Sequence, residues 1–143
     1  MSGLTRFMKQ NKKQRENTKF AATKSLVDEK GNTLLWTIRP LMSSEIDKMR
    51  DECTMEIPVS AKKGLYRSKV DATKFLCKLM CASIVEPDLH DKSLQDSYGV
   101  MTPEALLQQM IDDPGEYNAL GEFIQGYNNL DRALDDIVDD AKK

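Results

Sequence analysis

Asp71-Ala72-Thr73-Lys74-Phe75-Leu76-Cys77-Lys78-Leu79-Met80-Cys81-Ala82-Ser83-Ile84-Val85 has the texture of a core-facing helix. Phe75, Leu76, Leu79, Met80 and Ile84 recur at i, i+1, i+4, i+5 and i+9, a stripe wide enough to bury. Asp71 is a good N-cap, since its short carboxylate can accept from an early backbone amide. Pro87 stops the helix. The residue before a proline avoids the α region, so the chain from Glu86 to Leu89 must turn. The spacing predicts a helix from Asp71 to about Val85.

Downstream, Gln95 to Val100 reads as a loop carrying Tyr98-Gly99. A second helix opens with Thr102 as cap, Pro103 at the first helical position and Glu104 complementing the dipole. Leu106, Leu107, Met110 and Ile111 form its apolar face, and Pro114-Gly115 ends it. A third helix is expected over about 116–128, presenting Leu120, Phe123, Ile124 and Tyr127. In the last segment Leu130, Leu134, Ile137, Val138 and Ala141 are spaced four, three, one and three apart, while Asp131, Asp135, Asp136, Asp139 and Asp140 occupy the other face. This is an amphipathic helix with an acidic back.

Upstream, residues 58–70 hold Lys62, Lys63, Arg67 and Lys69 around Gly64 and read as a basic loop with room for a short strand. Before it, Ile46, Met49 and Cys53 recur at helical spacing in a segment opened by Ser43, Ser44 and Glu45 and closed at Ile57-Pro58. Further back the period changes to two. Phe20, Ala22 and Leu26 share one parity, and Leu34, Trp36 and Ile38 alternate with Leu35, Thr37 and Arg39. The polar stretch Asp28-Glu29-Lys30-Gly31-Asn32 between them predicts a β-hairpin with strands at about 19–27 and 33–39, closed by Pro40. Residues 8–18 are nearly all polar and offer no stripe to bury. The expected organisation is a flexible basic arm over 1–18, one globular domain over 19–129 (hairpin 19–40, helices 44–129) and an acidic amphipathic C-terminal helix over 130–143. The fold class is α+β, predominantly α-helical, with an N-terminal β-hairpin packed against four to five helices.

The 143 residues are 40% hydrophobic and 31% charged, the balance of one globular domain and not of a disordered chain. Apolar runs are a few residues long, against roughly 20 needed to cross a bilayer, so no membrane span is expected. The N-terminal ten residues lack the apolar stretch of a secretory signal, which places the protein in the cytoplasm. The net charge of −2 hides an asymmetry. Residues 1–30 carry eight Lys/Arg against three Asp/Glu, residues 31–83 nine against six, and residues 84–143 four against fourteen. The basic arm could contact phosphates, but it has one aromatic residue, Phe7, no recognised nucleic-acid module, and an acidic half behind it that would repel a polyanion.

Catalytic chemistry is mostly missing from the sequence. His90 is the sole histidine and sits among acidic neighbours in a polar stretch. The pairs Asp112-Asp113, Asp135-Asp136 and Asp139-Asp140 are adjacent, and neighbours on a helix point apart. No phosphate-binding, metalloprotease or nucleophile-elbow motif occurs. Cys77 and Cys81 share a helix face, but zinc would need two further ligands. No metal, cofactor or enzymatic activity is expected. Two features favour binding. Eight methionines, among them Met42, Met49, Met55, Met80, Met101 and Met110, suit adaptable apolar grooves as well as ordinary cores. The acidic amphipathic helix suits a partner groove, and Leu130, Leu134, Ile137 and Val138 are its candidate partner-binding residues.

The order of motifs resembles the tail assembly chaperones of phages and PBSX-type prophages of Gram-positive bacteria. The resemblance is carried by Gly31, Trp36, Ile38-Arg39-Pro40-Leu41 and Ser44-Glu45-Ile46. It continues through Val70 to Phe75, Ser83 to Leu89, Leu94 to Val100, Thr102 to Leu107 and Gly115 to Leu120. It covers about residues 19–128, with 85–100 the most specific part, and leaves out the basic arm and the final acidic helix.

That resemblance implies a non-catalytic assembly factor in the host cytoplasm, absent from the mature virion. Its partner would be the tape measure protein, kept soluble while tail tube protein is recruited around it. Long helical chains with apolar stripes aggregate unless covered, and a reversible cover yields to a tighter-binding subunit. Deleting 130–143 should then weaken partner capture without unfolding the domain. Homo-oligomerisation is left open by the sequence. The alternative is a nucleic-acid-associated prophage regulator using the Lys9–Lys24 arm, which predicts salt-sensitive binding lost on neutralising Lys12, Lys13 and Arg15. A small enzyme would instead need a closed polar pocket near His90 and the aspartates.

Overall fold

In the computed structural model, which describes residues 3–59 and 64–130, the central helix is the one the apolar stripe marks out. It spans Ala72–Ser83 and follows a ten-residue helix, so the two are α2 and α1 (Ser43–Glu52). Asp71 caps α2, its Oδ1 accepting from the Lys74 amide at 3.2 Å. Leu79 and Met80 are fully buried, and Phe75 and Leu76 pack at the edge of the core. The helix ends two residues earlier than the stripe suggests. Ile84 is already extended (φ −82°, ψ 116°), and Ile84–Glu86 forms a strand. Consecutive β-branched residues favour a strand once a partner is present, and the N-terminal hairpin supplies one.

That hairpin forms with less ladder than its alternation predicts. Strand β1 (Thr18–Phe20) pairs antiparallel with β2 (Trp36–Ile38), Lys19 opposite Thr37. Beyond a single bridge, Val27 to Thr33, the two arms do not pair as strands. The turn is as expected: Gly31 has φ +86°, and the Asp28 carboxylate accepts from the Lys30 and Asn32 amides, each at 2.9 Å. The ladder is interrupted because the chain at Thr23 and Lys24 leaves for a helix. The Thr23 hydroxyl donates to Glu116 Oε1 at 2.8 Å and the Lys24 amide to Oε2 at 2.7 Å. Strand β2 is buried throughout and lies between β1 and the Ile84–Glu86 strand in a three-stranded antiparallel sheet. A reciprocal pair fixes this junction, with the Arg39 amide donating to Ser83 O at 2.8 Å and the Ser83 hydroxyl to Arg39 O at 2.7 Å.

Residues 58–70, read as a basic loop with a short strand, and residues 54–57, read as the end of the preceding helix, instead hold a second hairpin, because α1 already stops at Glu52. Strands β3 (Thr54–Pro58) and β4 (Tyr66–Val70) pair from Thr54–Val70 to Pro58–Tyr66, so the sheet strand at Ile84–Glu86 is β5. Both faces of this ribbon are largely exposed, which is why its sequence shows no inside–outside alternation. A short helix α3 (Lys92–Ser97) replaces the start of the expected loop, capped by Asp91 through the Leu94 amide at 2.9 Å. Helix α4 (Pro103–Met110) begins as read, Thr102 Oγ1 accepting from the Ala105 amide at 3.1 Å. Helix α5 (Pro114–Tyr127) starts earlier than expected, because Pro114 opens it at the first helical position behind an Asp113 cap.

The described residues thus hold five α-helices and two small antiparallel sheets, an α+β fold. Helix α2 packs against α1, α4 and α5. Trp36, Ile38, Leu41, Leu106, Leu120 and Ile124 meet in the core it centres. The N-terminal segment carries two short 3-10 turns, Thr5–Phe7 and Lys9–Asn11, and the Arg15 guanidinium donates to Leu41 O.

Candidate partner-binding surface

Leu34 and Leu35 are adjacent in a β-rich segment, so no single face can bury both. They are 41% and 58% exposed, whereas the next residue, Trp36, is 2% exposed. Beside them the hairpin, the end of β5, α3 and the last residue of α4 enclose a cleft of about 290 Å³. Leu26, Leu35, Trp36, Leu94, Tyr98 and Met110 line it, with Glu86 and Pro87 at one side. Val27 and Val85 are exposed within one residue of lining positions. A wall of this kind takes an apolar side chain and has few polar groups to orient a small reactant.

The candidate residues named from sequence are only partly placed. Leu130 lies three residues past α5 and is partly buried against the core cluster, so it belongs to the domain as much as to any partner face. Leu134, Ile137 and Val138 lie outside the described residues. The methionines divide. Met49, Met80 and Met110 fill the core, while Met42, Met55 and Met101 are exposed. The β3–β4 ribbon adds exposed Met55, Val59, Leu65 and Tyr66 beside Arg67 and Lys69. Sequence reading missed the cleft; the adjacent Leu34-Leu35 pair, with one leucine too many for a half-buried strand, was the signal for it.

The other chemically notable group is on α2. Cys77 and Cys81 are free thiols one turn apart. A hydrogen bond from Cys81 holds the Cys77 thiol down at about 6 against the opposing effect of burial, and the Tyr117 hydroxyl adds a second bond. The same contact with Cys77 pushes Cys81 up, reinforced by burial, and burial raises Tyr117. Cys81 faces a recess of about 170 Å³ shared with His90, Lys78 and Glu104. His90 is exposed, and its amide is held by Asp88 Oδ1 at 3.0 Å. Among the described residues no group of three or more His, Cys, Asp or Glu is arranged to hold a metal ion, and no helix is long and apolar enough to cross a membrane. On the basic arm, Lys12 and Lys13 are exposed, while Arg15 is engaged with Leu41.

The chain belongs to the phage XkdN-like tail assembly chaperone family, whose model matches residues 4–142. The match takes in the basic arm and most of the acidic segment, both of which the motif resemblance had left out. The chain is similar to the phage-like element PBSX protein XkdN of Bacillus subtilis strain 168, 29% identical over 141 residues, covering 97% of this chain and 93% of that protein. It is also similar to the uncharacterized protein YqbN of the same strain, 27% identical over 141 residues, covering 97% and 92%. The crystal structure of YqbN shares the fold with a TM-score of 0.74 at 19% identity, covering 90% of this chain and 98% of that one.

Proposed function

We propose that this protein binds the tape measure protein of its phage or prophage, keeps it soluble, and assists assembly of the tail tube around it. It acts in the host cytoplasm, performs no catalysis, and leaves before the particle is complete. The observation that carries this reading is the family match across residues 4–142. The surface supports it: a chaperone for a long helical chain needs exposed apolar patches that give way to a better partner, and the Leu34-Leu35 cleft and the β3–β4 ribbon are such patches. In this reading the segment bearing Leu134, Ile137 and Val138 contributes to client capture, with Leu130 as its anchor to the domain.

The test is co-expression with the longest coiled-coil-rich open reading frame downstream in the same operon. That client should be soluble and co-purify when this protein is present, and pellet when it is absent. A client equally soluble in both cases overturns the reading.

A further inference from the structure

The cleft beside Trp36 combines an apolar wall with one lining carboxylate and acidic residues close by in the segments that form it. Glu86 lines it, and Asp28, Asp88, Asp96 and Asp112 each stand within two residues of a lining position. Lys24 and Lys92 are the only cations equally near in the chain. Asp28, Glu86, Asp88 and Asp96 are all exposed, so their field is free to act on whatever approaches. An apolar pocket with a carboxylate at its edge, set in acidic stretches of chain, favours an apolar group carried on a basic background, because charge beside a pocket sets orientation and rejects partners of like sign. The same argument disfavours this protein's own residues 131–140, which contain five aspartates and a single arginine.

We infer that this cleft receives an amphipathic helix of the client, seating a bulky apolar side chain between lysine or arginine residues. The inference rests on the chaperone reading and adds the surface and the chemistry of what it holds. A helix docking this way presents its anchors at i, i+3 or i+4 and i+7. The cleft has room for one large side chain at a time, so affinity per site is modest and release is easy, as a temporary cover requires.

Trp36 is the sole tryptophan and lines the cleft, so its emission reports occupancy directly. Two synthetic amphipathic helical peptides with the same leucine stripe, one flanked by lysine and one by glutamate, are titrated against the full chain at low salt. The lysine peptide should shift Trp36 emission and bind about tenfold or more tightly than the glutamate peptide, the gap narrowing as salt is added. Leu35→Lys, at an exposed position, should abolish the shift while leaving thermal unfolding unchanged. Glu86→Lys should erase the preference for lysine. Equal binding of the two peptides, binding by neither, or an unaltered shift in Leu35→Lys overturns the inference. So does an emission change that follows protein concentration and that neither peptide competes away, which would mean a second copy covers the cleft.

Co-expression separates this inference from the reading beneath it. A client solubilised by wild type but not by Leu35→Lys supports both. A client solubilised equally by both proteins sinks the cleft and spares the chaperone, whereas a client insoluble with wild type sinks the chaperone itself.

Discussion

Glu45 does two jobs at one atom pair. Its carboxylate takes both arms of the Arg39 guanidinium, at 3.0 and 2.6 Å, and its Oε1 also accepts from the Met42 amide at 3.2 Å, where α1 begins. The start of α1 is therefore tied by Glu45 reaching back, and not by the serine hydroxyls that the sequence suggests as caps. The Arg39 contact holds the Glu45 carboxyl below its ordinary value, with the Met42 amide adding to it. A carboxyl lowered in the folded state stabilises fully above its unfolded pKa, and that contribution is lost as pH falls through the folded pKa. Because both side chains are about one-third exposed, solvent screening keeps the effect small. Glu45→Gln should cost about 1 kcal/mol at neutral pH in denaturant unfolding. The gap to wild type should close as pH drops below about 4. A gap that stays constant down to acid would rule out this assignment. Asn128 has higher stakes because it is buried. Its Oδ1 accepts from the Leu41 amide at 2.7 Å and its Nδ2 donates to Ile124 O at 2.9 Å. Asn128→Ala strands the Leu41 amide and should cost about 1–3 kcal/mol by the same measurement.

Among the elements, the α2–α5 contact offers the sharpest test of packing. Gly121 is buried in the middle of α5, and a Cβ there would meet Met80 Sδ at 3.5 Å and the Leu76 methyls at 3.7 Å, ordinary contact distances. Glycine costs roughly 1 kcal/mol relative to alanine inside a helix. Gly121→Ala should therefore raise stability by about 0.5–1 kcal/mol, whereas Gly121→Leu, with more volume than the contact allows, should lower it. Equal thermal midpoints for the two variants would show that α2 and α5 are farther apart than described. The helices were legible because burial on one side imposes a period on them. The stripe of α2 and the Thr102-Pro103 opening of α4 leave marks in the sequence that need no partner to interpret. What stayed hidden depends on neighbours far along the chain. Ile84 and Val85 continue a helical stripe until β2 offers a hydrogen-bonding edge. The ribbon of β3 and β4 buries neither face and so leaves no alternation to find. The hairpin ladder was overestimated for a related reason, since nothing near Thr23 in sequence announces Glu116.

For the whole molecule, the question is how a domain this small holds a client much longer than itself. Its charge is divided along the chain, with basic residues concentrated in the first 83 positions and fourteen carboxylates among the last 60. A client helix seated in the cleft would meet Glu86 and α3, which belong to the acidic part of the chain. At the helical spacing its sequence predicts, the segment following Leu130 would put its aspartates on one face and Leu134, Ile137 and Val138 on the other. In the proposed mode those three apolar residues cover a neighbouring turn of the client's stripe. Two weak contacts on one chain raise the local concentration of each for the other, so losing one should weaken capture by much more than its own area suggests. The cut belongs after Leu130 and not before it, because Leu130 packs against the core. Deleting 131–143 should leave the thermal midpoint within a few degrees of wild type, since residues 22–128 already form a closed core among the described residues. Capture of the co-expressed client should fall by about tenfold or more, the expected penalty for removing one of two linked contacts. Capture undiminished by the deletion would confine binding to the domain. A collapse of the thermal midpoint would instead make residues 131–143 part of the fold and remove them from the client's surface.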